Sequence, residues 1–265
     1  MDGSVVRRRR EGTHDNEPWP KTMKRMLIRT LTMAMAIAAI SVVWTARGGA
    51  MAMTTTPGSA PIIVQLPQPR LDSGTSVEKA LHGRRSIRDY RDEPLTLAEI
   101  GQLLWAAQGV TAPGGFRTAP SAGALYPLEL YLAAGNVRDL APGIYRYRPH
   151  SHTLIQLLPG DRRGELCSAA LHQEAIRKAP AALVFSAVFA RTTGKYGKRG
   201  VRYVHMDHGH AAENVYLQAV SLHLGTVVIG AFNDAAIKRV MSMHLEEEPL
   251  SILPVGRLRG TASKD

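Results

Sequence analysis

The feature that most constrains this chain is an unbroken alternation of helix-period and strand-period segments from about residue 76 to residue 258, with no composition break and no internal repeat. A segment that is apolar at a 3.6-residue period packs as a helix. One that alternates at period two pairs as a strand. Residues 96–108 give the clearest helix. Thr96 and Glu99 have capping-box spacing, Leu97, Ile100, Leu103, Leu104 and Ala107 form one apolar stripe, and Gly109 stops it. Residues 76–82 read as a short helix, and 127–133 as a strand with Leu128, Leu130 and Leu132 on one face. Residues 144–147 and 153–158 flank Pro149 to His152 and read as a hairpin. Residues 165–177 read as a helix and 181–189 as a buried strand. Residues 203–224 read as a long helix of about 33 Å at ~1.5 Å per residue. Residues 226–231 read as a strand, 234–241 as a helix and 250–255 as a final strand. Hairpins mixed with helices predict an α+β fold, not a doubly wound sheet.

Charge divides the chain differently. The formal net charge is +11, from 33 Lys and Arg against 22 Asp and Glu. Residues 1–52 hold nine of the basic residues and four of the acids. Within them, Lys24 and Arg25 precede an uncharged run from Leu31 to Trp44, followed by Gly48, Gly49 and an Ala-Met-Ala end at Ala52. This is the layout of a secretory signal, with cleavage expected after Ala52. The uncharged run is shorter than the ~20 residues that span a bilayer. An uncleaved anchor, extended back past Arg29, is the alternative. Lys24 to Leu27 also resembles a degenerate twin-arginine signal, and Met23 is an alternative start. The expectation is an exported protein, periplasmic or membrane-anchored, that touches the membrane only through an uncleaved leader. A cytoplasmic protein is the alternative if the leader is not a signal. Residues 53–75, rich in Thr, Pro, Gly and Ser, read as a linker or an extended lead-in strand. Residues 76–259 read as one domain and 260–265 as a tail.

Absences narrow the chemistry. A single cysteine, Cys167, excludes a disulfide framework and a cysteine zinc site, and its helical setting reads as a buried small hydrophobe. The sequence holds no dinucleotide fingerprint, phosphate-binding P-loop, hydrolase elbow or zincin helix. His205, His208 and His210 do not converge on one ion from one helix, because His210 lies roughly 200° round from His208 at ~100° per residue. No metal site is expected. Asp207 is expected at most to fix a histidine tautomer. The Glu246–Glu248 run reads as a solvated loop.

Three constellations carry chemistry. The first runs from Arg84 to Tyr90 (R-R-S-I-R-D-Y). Arg84 and Arg88 share one face of a helix, or Arg84, Ser86 and Arg88 share one face of an extended segment. Either way two guanidinium groups and a hydroxyl converge on one phosphate-sized anion, with Arg85 beside them. A solvated basic run is the competing reading. The second is Arg117 to Pro127 (R-T-A-P-S-A-G-A-L-Y-P). Its small residues let backbone N–H groups approach a planar or anionic ligand, although an ordinary loop reads the same way. The third is Lys195 to Tyr203 (K-Y-G-K-R-G-V-R-Y). There Lys195 and Tyr196 stand side by side as proton donor and acceptor, against the plainer reading of a basic loop.

In this order the motifs resemble the nitroreductase-like flavoprotein superfamily, and within it the SagB-type thiazole/oxazole-forming dehydrogenases. P-S-A-G-A-L-Y-P (Pro120 to Pro127), K-Y-G-x-R-x-x-R-Y (Lys195 to Tyr203), G-H-A-A-E-N (Gly209 to Asn214) and H-L-G-T-V-V-I-G-A-F (His223 to Phe232) carry the narrower likeness. The resemblance implies an FMN-binding α+β homodimer, with a central, mostly antiparallel sheet flanked by helices and the flavin at the subunit interface. Arg84, Arg85, Ser86 and Arg88 would hold the phosphate and ribityl chain. Pro120, Ser121, Ala122 and Gly123 would line the flavin edge from the other chain. Gly230 and Ala231 would pass close to the ring, and Arg257 or Arg259 would add a phosphate contact. Lys195 and Tyr196 match the pair held to be catalytic in azoline oxidation.

Three readings of function follow. The chain is an FMN-dependent oxidoreductase moving hydride between a small-molecule or peptide-derived substrate and flavin N5, or an NAD(P)H-dependent nitroreductase, or a flavin-binding protein without turnover. Export would separate it from NAD(P)H and from cytoplasmic azole-forming partners. The basic residues are assigned to a leader and to one phosphate ligand, so no nucleic-acid partner is expected.

Overall fold

The computed structural model of the protein describes residues 61–259, so the proposed leader and the C-terminal tail lie outside the described residues. In chain order the elements are β1 (Ile63–Gln65), α1 (Val77–Gly83), β2 (Tyr90–Arg91), β3 (Leu95–Thr96), α2 (Leu97–Gln108), β4 (Leu128–Ala134), β5 (Val137–Arg138), β6 (Gly143–Arg148) and β7 (Thr153–Pro159). They continue with α3 (Arg163–Ala169), α4 (Glu174–Lys178), β8 (Ala181–Ala187), α5 (Ala190–Tyr196), α6 (Arg199–Ser221), β9 (Leu224–Thr226), α7 (Asp234–Met241) and β10 (Glu248–Leu258).

The main sheet runs β1-β7-β6-β4-β8-β10-β2, with β9 also on β10, and every pairing in it is antiparallel. A second small sheet pairs β3 with β5 in parallel. β1, inside the stretch read as linker or lead-in strand, pairs with β7. Helices cover both faces of the main sheet, which explains why β4 and β8 are buried at nearly every position. On one face Leu128, Leu130 and Leu132 of β4 and Phe185 of β8 pack with Ile100, Leu103 and Leu104 of α2 and with Val204, Ala211 and Val215 of α6. On the other, Tyr131 and Ala133 pack with Leu166, Cys167, Ile176, Ile237 and Met241 of the smaller helices. Each buried leucine contributes ~1.5–3 kcal/mol, and truncating Leu104 to alanine would cost about 3 kcal/mol.

Local signals set the helix starts. Thr96 and Glu99 form the full reciprocal capping box of α2, Ser76 caps α1, and Asn233 caps α7. Three expectations are corrected. Residues 165–177 form two helices, because Leu171 and His172 take left-handed φ values of 54° and 58° between them. The strand expected at 226–231 ends at Thr226, leaving only an isolated bridge from Ile229 to Ile252. The basic stretch 195–203 is not a loop. It is the end of α5, a turn at Gly197 (φ 55°) and the first turn of α6, which begins four residues before the expected start.

Candidate active site

The loop between α2 and β4 is built around a buried carboxylate. Asp207 of α6 is 4% exposed and faces this loop. The Ser121 hydroxyl donates to its Oδ2 at 2.6 Å, and the Ala122 N–H donates to its Oδ1 at 3.2 Å. Ser121 Oγ in turn accepts the Tyr126 N–H at 2.9 Å. The backbone is thereby held in a tight coil, with Gly123, Ala124 and Tyr126 at φ values of 65°, 53° and 46°. Asp207 was expected to orient a histidine; the geometry makes it the anchor of this loop. A buried anion with two donors is well matched, since each such charged hydrogen bond is worth ~1.5–3 kcal/mol.

Gly123 then meets the end of α5. A Cβ placed on it would lie 2.6 Å from the Tyr196 hydroxyl and 3.1 Å from Lys195 Nζ. A glycine is required here twice over, by φ and by this approach. The Lys195 ammonium lies 5.4 Å from the centroid of the Tyr196 ring, and Tyr203 packs edge-on against Tyr196 at 5.1 Å. Gly123 and Lys195, 72 positions apart in the sequence (195 − 123), thus bring two motifs together, with a primary amine and a phenol beside exposed backbone.

The arginine–serine motif is extended, so the second of its two possible geometries is the one adopted. Arg84 ends α1, Ser86 bridges to Thr226, and the Ile87 N–H donates to the Thr226 carbonyl at 2.8 Å. Gly225 permits this contact, because a Cβ there would strike Ile87 at 2.7 Å. Tyr216 of α6 gathers the group. Its hydroxyl shares a hydrogen bond with Ser86 Oγ at 3.1 Å and accepts the Val228 N–H at 2.9 Å. The Arg84 guanidinium lies 5.2 Å from the Tyr216 ring centroid, with Glu213 at 3.8 Å. Arg88 is exposed, and Arg85 donates to the carbonyls of His82 and Arg84 at the end of α1.

The remaining expected residues are scattered. Gly230 and Ala231 are exposed beyond Val228; a Cβ on Gly230 would meet nothing within 4 Å, and the Ala231 carbonyl accepts from Gln173. Arg257 is committed elsewhere. It donates to both oxygens of Glu99, at 2.5 and 2.9 Å, and so locks the capping box of α2 to β10. Burial pushes the Glu99 carboxyl up, but the bonds from Arg257 and Thr96 bring it below its ordinary value. Arg259 pairs with Asp89 at 3.0 Å. Within one chain, Pro120–Gly123 and the Arg84–Ser86 group do not meet. Asp207 and Tyr216 are nine residues apart on α6, two and a half turns at ~3.6 residues per turn, so they project from opposite sides of the helix.

Several site and core residues left no local signal. Tyr216 sits among ordinary neighbours in the sequence. Glu247, expected in a solvated run, is fully buried and accepts from Tyr131 at 2.9 Å and from Ser186 at 2.5 Å. His208 pairs with Ser251 at 2.6 Å and stacks edge-on against Phe185.

Comparison with known proteins identifies the family and the fold. The family model described as Nitroreductase family matches residues 81–257. The nitroreductase-like protein MJ1384 of Methanocaldococcus jannaschii is 48% identical over 181 residues, covering 68% of this chain and 90% of that protein. The microcin B17-processing protein McbC of Escherichia coli is 29% identical over 155 residues, and the match spans 56% of this chain and 57% of McbC. A solved nitroreductase-like protein from Ralstonia eutropha JMP134 aligns with a TM-score of 0.66 at 34% identity, over 74% of this chain and 90% of that one. A chain of the E. coli microcin synthetase McbBCD, solved with truncated pro-MccB17 bound, aligns with a TM-score of 0.57 at 25% identity, over 77% of each chain.

Proposed function

We propose that this chain, which belongs to the nitroreductase family, is an FMN-dependent oxidoreductase of the SagB type, acting on a small-molecule or peptide-derived substrate. The observation that carries the proposal is the seating of Lys195 Nζ and the Tyr196 hydroxyl against Gly123. The residues present fit FMN. Arg84 and Ser86 offer a guanidinium and a hydroxyl beside one another for a phosphate. Gly230 presents bare backbone to open space, where a side chain would stand in the way of a flat ring. The Ser121–Gly123 backbone, fixed from behind by Asp207, offers a rigid edge.

FMN, when bound, would supply the two-electron chemistry by exchanging a hydride with the substrate at its N5 atom. The chain's own residues do the rest. Arg84 and Ser86 would hold the phosphate. Gly123 holds substrate space open next to Lys195. The Lys195 amine takes a proton from the substrate, and the Tyr196 hydroxyl orients that amine or relays the proton. The Ser121–Tyr126 coil fixes the distance between these groups, so that positioning accounts for much of the rate.

The placement of the two half-sites on opposite sides of α6 favours a homodimer with shared sites. One chain would present Arg84 and Ser86, and its partner Pro120–Gly123. The similarity to McbC favours dehydrogenation of a peptide-derived ring. The similarity to MJ1384 favours a second reading, NAD(P)H-dependent nitro reduction. Residues 1–52 add a proposed export signal, which would favour the first.

Purified protein with bound FMN should be yellow. The Lys195→Ala variant should keep the flavin and lose at least ~100-fold in azoline or quinone-linked turnover, the usual scale of a general base. Retained turnover would overturn the role of Lys195. A colourless protein that takes up no FMN would overturn the reading itself.

A further inference from the structure

We propose that the Lys195–Tyr196 site takes an anionic substrate, one whose carboxylate or comparable oxyanion is held by the cations around it. The inference rests on the oxidoreductase reading above and names its substrate class. Between Glu174 and Asp207 the sequence contains no acid, yet Arg191, Lys195, Lys198, Arg199 and Arg202 all fall around the junction of α5 and α6. Asp207 itself is spent on Ser121 and Ala122. Arg191 is neutralised by Glu129 at 2.5 Å. Lys195, Lys198, Arg199 and Arg202 are exposed, and among the described residues they form no salt bridge. Lys198, Arg199 and Arg202 also stand at the N-terminal end of α6, the wrong end of a helix for their sign. The first turn of α6 carries no acid and no side-chain cap, so these cations add to its positive end instead of offsetting it.

The second observation comes from the loop that carries Gly123. Arg117 stacks 4.5 Å from the centroid of the Tyr126 ring and donates through Nη1 to Gln108 at 2.8 Å. Its Nε is buried without a hydrogen-bond partner among the described residues. It has no carboxylate of its own, since Glu129 is already held by Arg146 at 2.9 Å and by Arg191. Tyr126 links Arg117 to α5 and to the Ser121 coil. Its ring lies against Arg117, its carbonyl accepts from Arg191, and its N–H donates to Ser121. Burial disfavours the Arg117 charge more than the nearby Glu129, already shared between Arg146 and Arg191, favours it. An anion in the site restores the balance, and the field of the cluster draws that anion in.

The test compares 4-nitrobenzoate with its neutral isostere 4-nitrobenzamide on the FMN-loaded protein, by isothermal titration calorimetry. At about 20 mM NaCl the carboxylate should bind roughly tenfold more tightly, the sum of two or three partly screened pairs. At about 500 mM the gap should close to below about threefold. Combined Lys198→Glu, Arg199→Glu and Arg202→Glu should abolish the preference. If that variant fails to fold, Arg202→Gln and Arg117→Gln, made separately, should each reduce it about twofold to threefold. Equal affinities, a preference indifferent to salt, or no binding of either compound would overturn the proposal. Turnover of an azoline by the same protein, with a quinone as electron acceptor, is scored apart. Its absence counts against the oxidoreductase reading, while the charge preference remains readable in the calorimetry.

Discussion

The hydroxyl of Ser121 donates to the buried carboxylate of Asp207 across a sequence separation of 86 residues. That bond sets where Gly123 lies, and Gly123 sets the space in front of Lys195. Asp207→Ala should therefore cost about 2 kcal/mol of stability, from the loss of two hydrogen bonds to a charged acceptor. Asp207→Asn should fold better and still lower kcat with less change in KM, because the loop shifts while the substrate-facing groups remain. Thermal unfolding and steady-state kinetics separate the two effects. Unchanged kcat in a folded Asp207→Asn protein would remove the positioning role.

Gly123→Ala is a sharper probe of the same contact. Its φ of 65° costs an alanine ~1 kcal/mol. The new methyl would displace the Tyr196 hydroxyl and Lys195 amine, which are the free ends of side chains and move cheaply. The expected result is a small fall in Tm and at least a tenfold fall in turnover, about 1.4 kcal/mol in the barrier. A variant with wild-type turnover would mean that the pair does not work where it sits.

Tyr216→Phe removes the acceptor of the Val228 N–H and the partner of Ser86. One ordinary hydrogen bond is worth about 1 kcal/mol, so FMN affinity should fall about fivefold to tenfold. Quenching of flavin fluorescence on titration reads this directly. The same affinity in the variant would detach Tyr216 from the phosphate-binding group.

His208 gives the fold a pH dependence. Burial, with the nearby His205, pushes its imidazole down from 6.5 to about 4. Above pH 6.5 it is neutral both folded and unfolded and contributes nothing to the slope. As pH falls from 6.5 towards 4, the unfolded chain takes up a proton that the folded chain refuses, and stability is lost, by an amount on the order of 3 kcal/mol across that window. Urea midpoints at pH 7.5 and pH 5 should differ accordingly, and His208→Gln should flatten the difference. An equal slope in that variant would place the titration elsewhere.

Much of this was legible from neighbours in the chain. The Thr96–Glu99 box, the apolar stripe of α2 and the limits of α7 follow from residues three or four apart. The site motifs were legible as strings, but their meeting was not. Ser86 and Tyr216 are 130 residues apart, and nothing near either announces the other. Glu247 looks like one of three solvated acids until Tyr131 and Ser186 enclose it. The break at Leu171 and His172 was hidden because neither is a glycine and the apolar spacing continues across it from Leu166 to Ile176. The resemblance gives Arg257 a phosphate contact, and only the packing of β10 shows Glu99 beneath it.

The half-turn offset of Asp207 and Tyr216 around α6 has a consequence for genetics. In the proposed dimer each site takes Arg84 and Ser86 from one copy and Gly123 with Lys195 from the other. Two separately dead alleles, Arg84→Glu with Ser86→Ala and Lys195→Ala, should then rescue one another when co-expressed. Each mixed dimer would hold one wholly intact site and one doubly damaged site. With random pairing, half the dimers are mixed, so about a quarter of wild-type activity should return. Two alleles that stay dead together would place the whole of each site within a single chain.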